Sequence, residues 1–139
     1  DVIQVFPAHL RKRIRVIPYV SAEGMRKVYT SCDIFVFPSL FESMSLVIPE
    51  AMASGMAIVT TKACGMQDVI EDNVSGFLVP LRDTEALANR IIALLNDSAL
   101  CARLGQEAQR KAGEIVWHNI ARQTIQAYER LLNIQNRTG

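Results

Sequence analysis

The sequence has few cysteines and no long apolar run, and these absences exclude several classes of protein. Its three cysteines, Cys32, Cys64 and Cys101, are odd in number and widely spaced, which matches neither a disulfide framework nor a zinc-ligand pattern. No apolar run approaches the roughly 18 residues of a membrane-spanning helix, and no basic-then-apolar signal segment opens the chain. We therefore expect a protein of the reducing cytoplasm.

Charge and glycine patterning exclude further classes. Fifteen Lys and Arg residues against fourteen Asp and Glu give a net charge of +1, so no nucleic-acid partner is expected. The seven glycines form neither a dinucleotide fingerprint nor a Walker loop, and the nucleophile elbow Gly-x-Ser-x-Gly is absent. With 139 residues, 50% of them apolar and 21% charged, the composition is typical of one globular domain or part of a larger one.

The first third of the chain predicts a strand, a helix and a second strand. Arg13–Ile17 alternates basic and apolar residues before a proline, which predicts a short strand near a sheet edge. Ser21 is a candidate cap for a helix that runs to about Ser31. Ile34–Phe37 is a run of apolar β-formers closed by Pro38, the pattern of a strand buried on both faces in a parallel sheet.

The next segment continues the alternation of helix and strand. A helix is predicted from Leu46 to Ser54, ended by Gly55 in the left-handed conformation. A buried strand, a loop with a short helix, and a further short strand are predicted at Ala57–Thr61, Gly65–Ile70 and Gly76–Pro80. This alternation predicts an α/β class with a Rossmann-like, mostly parallel sheet and helices on both faces.

Only helices are predicted after Pro80. Asp83 and Asp97 are candidate caps of two helices that each carry an apolar face. A last helix begins near Trp117, and its apolar positions keep a 3.6-residue period as far as Leu132. We therefore expect this helix to pack along its length.

The segment Ser39–Ser45 is the best candidate for a binding site. It joins the carboxyl end of a predicted parallel strand to the start of a helix, where open α/β sheets place ligands and where free N–H groups favour phosphate. Glu42 lies in this segment, and Glu50 lies one turn inside the helix. Carboxylates accept hydrogen bonds from sugar hydroxyls, so the pattern favours a nucleotide sugar. Two solvated helix-terminus glutamates are the alternative that the residues alone leave open.

Residues 37–59 read FPSLFESMSLVIPEAMASGMAIV. In this run seven residues separate Glu42 from Glu50, and the second glutamate opens Glu-Ala-Met-Ala-x-Gly. The run resembles the donor-site signature of retaining glycosyltransferases of family 4, which have the GT-B fold of two Rossmann-like domains. The resemblance extends over residues 13–128, through the later leucine-rich helices.

The resemblance implies a role for each motif residue. Glu42 would be the catalytic, sugar-side carboxylate and Glu50 the ligand of the ribose hydroxyls. Backbone N–H groups of Ser45 and Leu46 would hold the diphosphate, and Tyr19 would lie towards the nucleobase. The other donor-site residues implied are Ser39, Ser43 and Met44. The family implies no metal and no cofactor, since the nucleoside-diphosphate sugar is a substrate.

The resemblance also implies that the chain is part of an enzyme. Residues 1–139 would form the C-terminal donor-binding domain without its first strands, and the acceptor domain would be absent. The parent would transfer a sugar with retention to a glycan or glycolipid, with peripheral association at the inner face of a membrane. The Arg and Lys that neutralise the leaving diphosphate in this family lie upstream, so residues 1–139 alone are expected to be inactive. The last helix would pack back towards the missing domain.

Two departures from the signature keep alternatives open. The family usually has Gly-Phe-Gly where this chain has Ser43-Met44-Ser45, and Gly-Gly-x-x-Glu where residues 64–68 read CGMQD. Glycine lets the backbone approach a phosphate closely, so a side chain at Ser45 crowds the diphosphate or adds a hydrogen bond. One alternative is a nucleotide-sugar epimerase or a phosphorylase-like enzyme of the same fold. The other is a catalytically silent module that binds a nucleotide sugar or a partner subunit.

Overall fold

The structure, a computed structural model, describes residues 2–43 and 45–135. Two short 3-10 helices, Val2–Val5 and Arg11–Arg13, precede the regular elements. The strands are β1 (Ile34–Phe37), β2 (Ala57–Thr61) and β3 (Phe77–Val79). The helices are α1 (Ala22–Thr30), α2 (Val47–Ala53), α3 (Met66–Val69), α4 (Thr84–Asn96), α5 (Ser98–Ala112) and α6 (Trp117–Gln135).

The three strands form one parallel sheet in the order β1, β2, β3. Ile34 pairs with Ala57 in the first ladder, and Val59 pairs with Phe77 in the second. A helix lies in each connection, because parallel neighbours need a crossover between them. The predicted α/β class with a mostly parallel sheet is confirmed.

β2 is the centre of the core, because all five of its residues are buried. Ile58 packs into a cluster with side chains of α1, α2, α3 and α5. Ala57 and Val59 pack into a second cluster with Leu94 of α4 and Leu104 of α5. Successive side chains of a strand point to opposite faces, so helices cover this sheet on both sides, as predicted.

Side-chain caps begin three helices where the sequence predicts them. The hydroxyl of Ser21 accepts a hydrogen bond from the backbone N–H of Gly24 at 3.2 Å. Asp83 and Asp97 cap α4 and α5 in the same way, with N···O distances of 2.8 and 2.9 Å. Each cap satisfies an N–H that the first helical turn leaves without an intrahelical partner. Gly55 follows α2 at a φ of 79°, the predicted left-handed conformation.

The predicted strand at Arg13–Ile17 is wrong, and β1 is less buried than predicted. Of that range only Arg13 lies in a 3-10 helix, while Val16 and Ile17 are 50% and 40% exposed. A strand needs a neighbour that supplies ladder hydrogen bonds, and no described strand pairs with residues 13–17. Among the described residues β1 pairs only with β2, which leaves Val36 37% exposed.

The last helix forms as predicted but does not pack along its length. Trp117, Ile125, Tyr128 and Leu131 are between 57% and 80% exposed. A 3.6-residue period identifies an apolar face, but it does not say what covers that face. Within the described residues nothing covers this one.

Candidate active site

The loop 38–46 leads from the carboxyl end of β1 into α2. Its position is the edge of the sheet at which open α/β proteins bind their ligands. The ends of β2 and β3 lie at the same edge, because both strands run parallel to β1. Residues from three connections therefore meet around this loop.

Three hydrogen bonds hold the first half of the loop. The hydroxyl of Thr61, at the end of β2, donates to the carbonyl oxygen of Ser39. The hydroxyl of Ser39 donates to the carbonyl oxygen of Phe41 at 3.1 Å. The backbone N–H of Gly65 donates to the carbonyl oxygen of Glu42 at 3.3 Å. The backbone of Glu42 is thus held by the turn after β2, and its side chain is half-buried.

The turn that contacts Glu42 has a strained residue. Cys64 is exposed and has a φ of 38°, in the left-handed region that a residue with a β-carbon adopts at a cost. Glycine adopts this region without that cost. The departure from Gly-Gly noted in the sequence therefore falls at a position where the backbone favours glycine.

Glu50 is held from the neighbouring helix. The phenolic hydroxyl of Tyr29 on α1 donates a hydrogen bond to Oε2 of Glu50 at 3.1 Å. Tyr29 is only 7% exposed, whereas Glu50 is open to solvent. Burial raises the pKa of Tyr29 above its ordinary value, and the hydrogen bond and negative charge of Glu50 raise it further. The phenol therefore keeps its proton, and its donor capacity, well beyond neutral pH.

A cavity of about 500 Å³ opens between α1, α2 and α5. Glu50 and Tyr29 line it, together with Met25, Arg26, Ser54 and Gln109. It combines apolar walls with one carboxylate, one guanidinium and several uncharged polar groups. A second hollow of about 290 Å³ lies at the strand ends, between Pro38, Thr61, Val79 and Leu87.

The other predicted site residues lie around the entrance to α2. Ser43 is exposed, and Ser45 is half-buried, with its carbonyl oxygen accepting from the N–H of Ile48 at 3.4 Å. Leu46 precedes the helix and is 64% exposed, and no side chain of the described residues caps α2. Met44 lies outside the described residues. Tyr19 is 99% exposed, so the structure does not bring its side chain against the loop.

Sequence reasoning missed three residues that hold the predicted ones. Tyr29 lies on the apolar face of a predicted helix, so the pattern assigns it to the core. Only its hydroxyl indicates a polar partner. Thr61 ends a buried strand at the ligand edge, which is a usable signal. The N–H of Gly65 leaves no trace in the sequence, because any residue except proline supplies such a donor.

No group of three or more His, Cys, Asp or Glu side chains in residues 2–43 and 45–135 is arranged to hold a metal ion. In the same ranges, no helix is both long and apolar enough to cross a membrane.

Solved structures with this fold are glycosyltransferases of the GT-B type. Sucrose-phosphate synthase from Thermosynechococcus elongatus has a TM-score of 0.80 and 30% identity, over 96% of this chain and 33% of that one. Anabaena HepE in complex with UDP-glucose has a TM-score of 0.64 and 29% identity, over 77% of this chain and 29% of that one. The likeness defines the class of the protein as an α/β glycosyltransferase fold.

The family of the chain is shown by a match to a family model. The model of the family described as Glycosyl transferases group 1 matches residues 7–111, so the chain belongs to this family. Among curated relatives, D-inositol 3-phosphate glycosyltransferase from Corynebacterium urealyticum is 30% identical over 122 residues, which cover 88% of this chain and 29% of the relative. The chain spans about a third or less of the first curated relatives that it matches.

Proposed function

We propose that residues 1–139 are the donor-binding part of a retaining GT-B glycosyltransferase of family 4. One observation carries the proposal: the loop from β1 to α2 at the ligand edge of the sheet bears Glu42, and Glu50 on α2 lines the cavity between α1, α2 and α5. One carboxylate at this edge and a second on the helix that follows suit a ligand that presents hydroxyl groups on either side of a phosphate group. Membership of the group 1 family supports the assignment to a transferase.

The proposed donor is a nucleoside-diphosphate sugar. Glu50 accepts hydrogen bonds from the ribose hydroxyls, and Glu42 faces the sugar. The N–H groups of Ser45 and Leu46 donate to the diphosphate. Support comes from the Anabaena HepE structures, which were solved in complex with UDP-glucose and with UDP. The surrounding donor contacts in this proposal are Ser39, Ser43, Met44 and, towards the nucleobase, Tyr19.

In the proposed reaction, the bond between the anomeric carbon and the diphosphate oxygen breaks. A bond to an acceptor hydroxyl oxygen forms on the same face of the sugar, and the proton of that hydroxyl passes to the departing diphosphate. Negative charge develops on the departing diphosphate and needs opposing positive charge. We place the cations that supply it upstream of residue 1, so we propose that residues 1–139 alone do not transfer sugar. No resident metal or cofactor is part of the proposal.

The proposed acceptor is a glycan or a glycolipid bound by a preceding domain. Relatives with related names include an O-antigen chain mannosyltransferase from Escherichia coli, 30% identical over 118 residues. A lipid-linked acceptor would bring the enzyme to the inner face of a membrane, which agrees with the cytoplasmic compartment predicted from the cysteines.

A catalytically silent nucleotide-sugar module is the second candidate. Cys64, with its φ of 38°, and the side chains at Ser43 and Ser45 stand where the family usually has glycine, and this observation favours it. Products separate the candidates. Release of nucleoside diphosphate together with a new glycoside identifies transfer, release without a glycoside points to the epimerase or another same-fold enzyme, and binding without turnover identifies the silent module.

Calorimetric titration of the full-length protein with UDP-, GDP- and ADP-sugars tests the proposal. Glu50→Gln should weaken binding of one nucleotide class by about tenfold, because a charge-assisted hydrogen bond is lost. Glu129→Gln, on exposed α6, is the matched control and should bind as the wild type does. Equal, weak binding of every donor with no effect of Glu50→Gln would overturn the donor-site assignment.

A further inference from the structure

We propose that Tyr29 is a positioning residue that holds the Glu50 carboxylate in the orientation that ribose hydroxyls require. The inference rests on the proposed function, since it assigns to Tyr29 a task at the same nucleotide site. It makes Tyr29 a determinant of ribose recognition that has no contact of its own with the sugar.

The position of the tyrosine ring is set by the core. The ring of Tyr29 packs edge-on against Phe35 of β1, with ring centres 6.0 Å apart and planes at 73°. Phe35 in turn stacks on Phe37, with ring centres 6.1 Å apart. Since Tyr29 is 7% exposed, its ring cannot swing away without disrupting the core. Its hydroxyl is therefore a fixed donor at the wall of the cavity.

Glu50 needs such an anchor because its side chain is open to solvent. Among the described residues, Tyr29 supplies the hydrogen bond to this carboxylate, through Oε2 at 3.1 Å. A long, exposed side chain otherwise samples several rotamers and loses that freedom when it binds a ligand. The tyrosine hydrogen bond removes part of this loss before the nucleotide arrives.

The bond leaves enough acceptor capacity for a ribose. An ionised carboxylate has two oxygens with about four lone-pair sites, and the phenol uses one of them. Oε1 and the second site on Oε2 stay available for two neighbouring hydroxyls. Because burial and Glu50 both raise the pKa of Tyr29, the phenol donates throughout the neutral range.

Ribose discrimination tests the inference more sharply than affinity alone. The full-length protein and its Tyr29→Phe variant are titrated with UDP, GDP and ADP, and with the 2′-deoxy form of whichever binds. Tyr29→Phe keeps the ring and removes only the hydroxyl. We expect the variant to bind the ribonucleotide about 5- to 10-fold more weakly and the 2′-deoxy analogue with a much smaller loss. The ratio of the 2′-deoxy to the ribonucleotide dissociation constant should therefore fall.

Two comparisons separate this inference from the proposed function. Tyr128→Phe removes a hydroxyl from exposed α6 and should leave both dissociation constants unchanged. If Glu50→Gln lowers the ratio of the 2′-deoxy to the ribonucleotide dissociation constant but Tyr29→Phe does not, the positioning role of Tyr29 is wrong while the donor site stands. If Glu50→Gln leaves the ratio unchanged, both proposals fall. The ratio is measured within one preparation, so a partly unfolded Tyr29→Phe sample does not alter it.

Discussion

The hydroxyl of Thr61 donates a hydrogen bond to the carbonyl oxygen of Ser39, just beyond Phe37 and Thr60, the last paired residues of β1 and β2. Pro38 has no N–H and cannot extend the backbone ladder at this point. A side chain of β2 therefore continues the pairing that the backbone of β1 ends, and it anchors the loop that carries Glu42.

Thr61→Val should disturb the loop more than the sheet. The change keeps the shape of the side chain but removes the donor to Ser39, so the free energy of unfolding should fall by about 1–2 kcal/mol. Donor affinity, measured by calorimetry on the full-length protein, should fall as well. Thr60→Val is the matched control, because Thr60 bonds the carbonyl oxygen of Phe37 inside the strand at 2.8 Å. It should lower stability similarly while leaving donor affinity unchanged. Equal affinity losses in both variants would contradict a specific role for Thr61.

Gly105→Ala should strongly destabilise the protein. A β-carbon at this position of α5 would lie 2.2 Å from the carbonyl oxygen of Gly55, and backbone atoms cannot yield to that degree without moving the helix. Overpacking of this kind costs about 1–3 kcal/mol, and we expect the upper end, measured by urea unfolding. Ala102→Ser, on the exposed side of the same helix, should change stability by less than about 0.5 kcal/mol. A Gly105→Ala protein as stable as this control would show that α5 can shift away from the turn after α2.

Tyr29 should make stability depend on pH in the alkaline range. Its pKa in the native state is raised above the ordinary value of 10.0 by burial, and then by Glu50. As pH rises, the unfolded chain loses this proton first, so the unfolded state binds fewer protons and the free energy of unfolding falls. Below about pH 9 both states hold the proton and the effect vanishes.

Urea unfolding from pH 8 to 11 measures this effect against Tyr29→Phe. The stability advantage of the wild type over the variant should be constant up to about pH 9 and shrink above it. Glu50 and Arg26, which line the same cavity, are present in both proteins, so the difference between the two curves reports on Tyr29. Parallel curves for the two proteins up to pH 11 would contradict the raised pKa.

A bound donor should protect Cys64 from alkylation and leave Cys32 unprotected. Both thiols are exposed, but only Cys64 precedes the residue whose N–H contacts the Glu42 loop. At a donor concentration ten times Kd, iodoacetamide should modify Cys64 about tenfold more slowly, as followed by peptide mass spectrometry. Cys101 should react slowest with or without donor, because burial and then Asp33 raise its pKa. Equal protection of Cys32 and Cys64 would indicate a general tightening of the fold instead.

Local features of this chain were predictable because each depends on residues near in sequence. The caps at Ser21, Asp83 and Asp97 and the left-handed Gly55 depend on side chains within four positions. The alternation of helices and strands and the spacing between Glu42 and Glu50 can likewise be read from short stretches of sequence. The roles proposed for these two glutamates stay predictions until a donor is titrated.

Which segments pair as strands, and which surfaces cover the apolar face of a helix, were not predictable from the sequence in the same way. Alternation at Arg13–Ile17 indicates an extended segment, but a strand exists only where a partner supplies ladder bonds. The periodicity of α6 indicates an apolar face, yet the described residues leave it open.

The sequence by itself determined the order of helices and strands from α1 onward, the helix caps and the spacing of Glu42 and Glu50, because local propensity and side-chain period need no distant partner. Only the tertiary structure decided what holds the Glu50 carboxylate and the loop that carries Glu42. Tyr29 meets Glu50, Thr61 meets Ser39 and Gly65 meets Glu42 across gaps of about twenty residues. The last two contacts exist because parallel strands bring separate connections to one edge of the sheet, and the first exists because α1 and α2 pack in one cluster. No local pattern records which residues meet in either place.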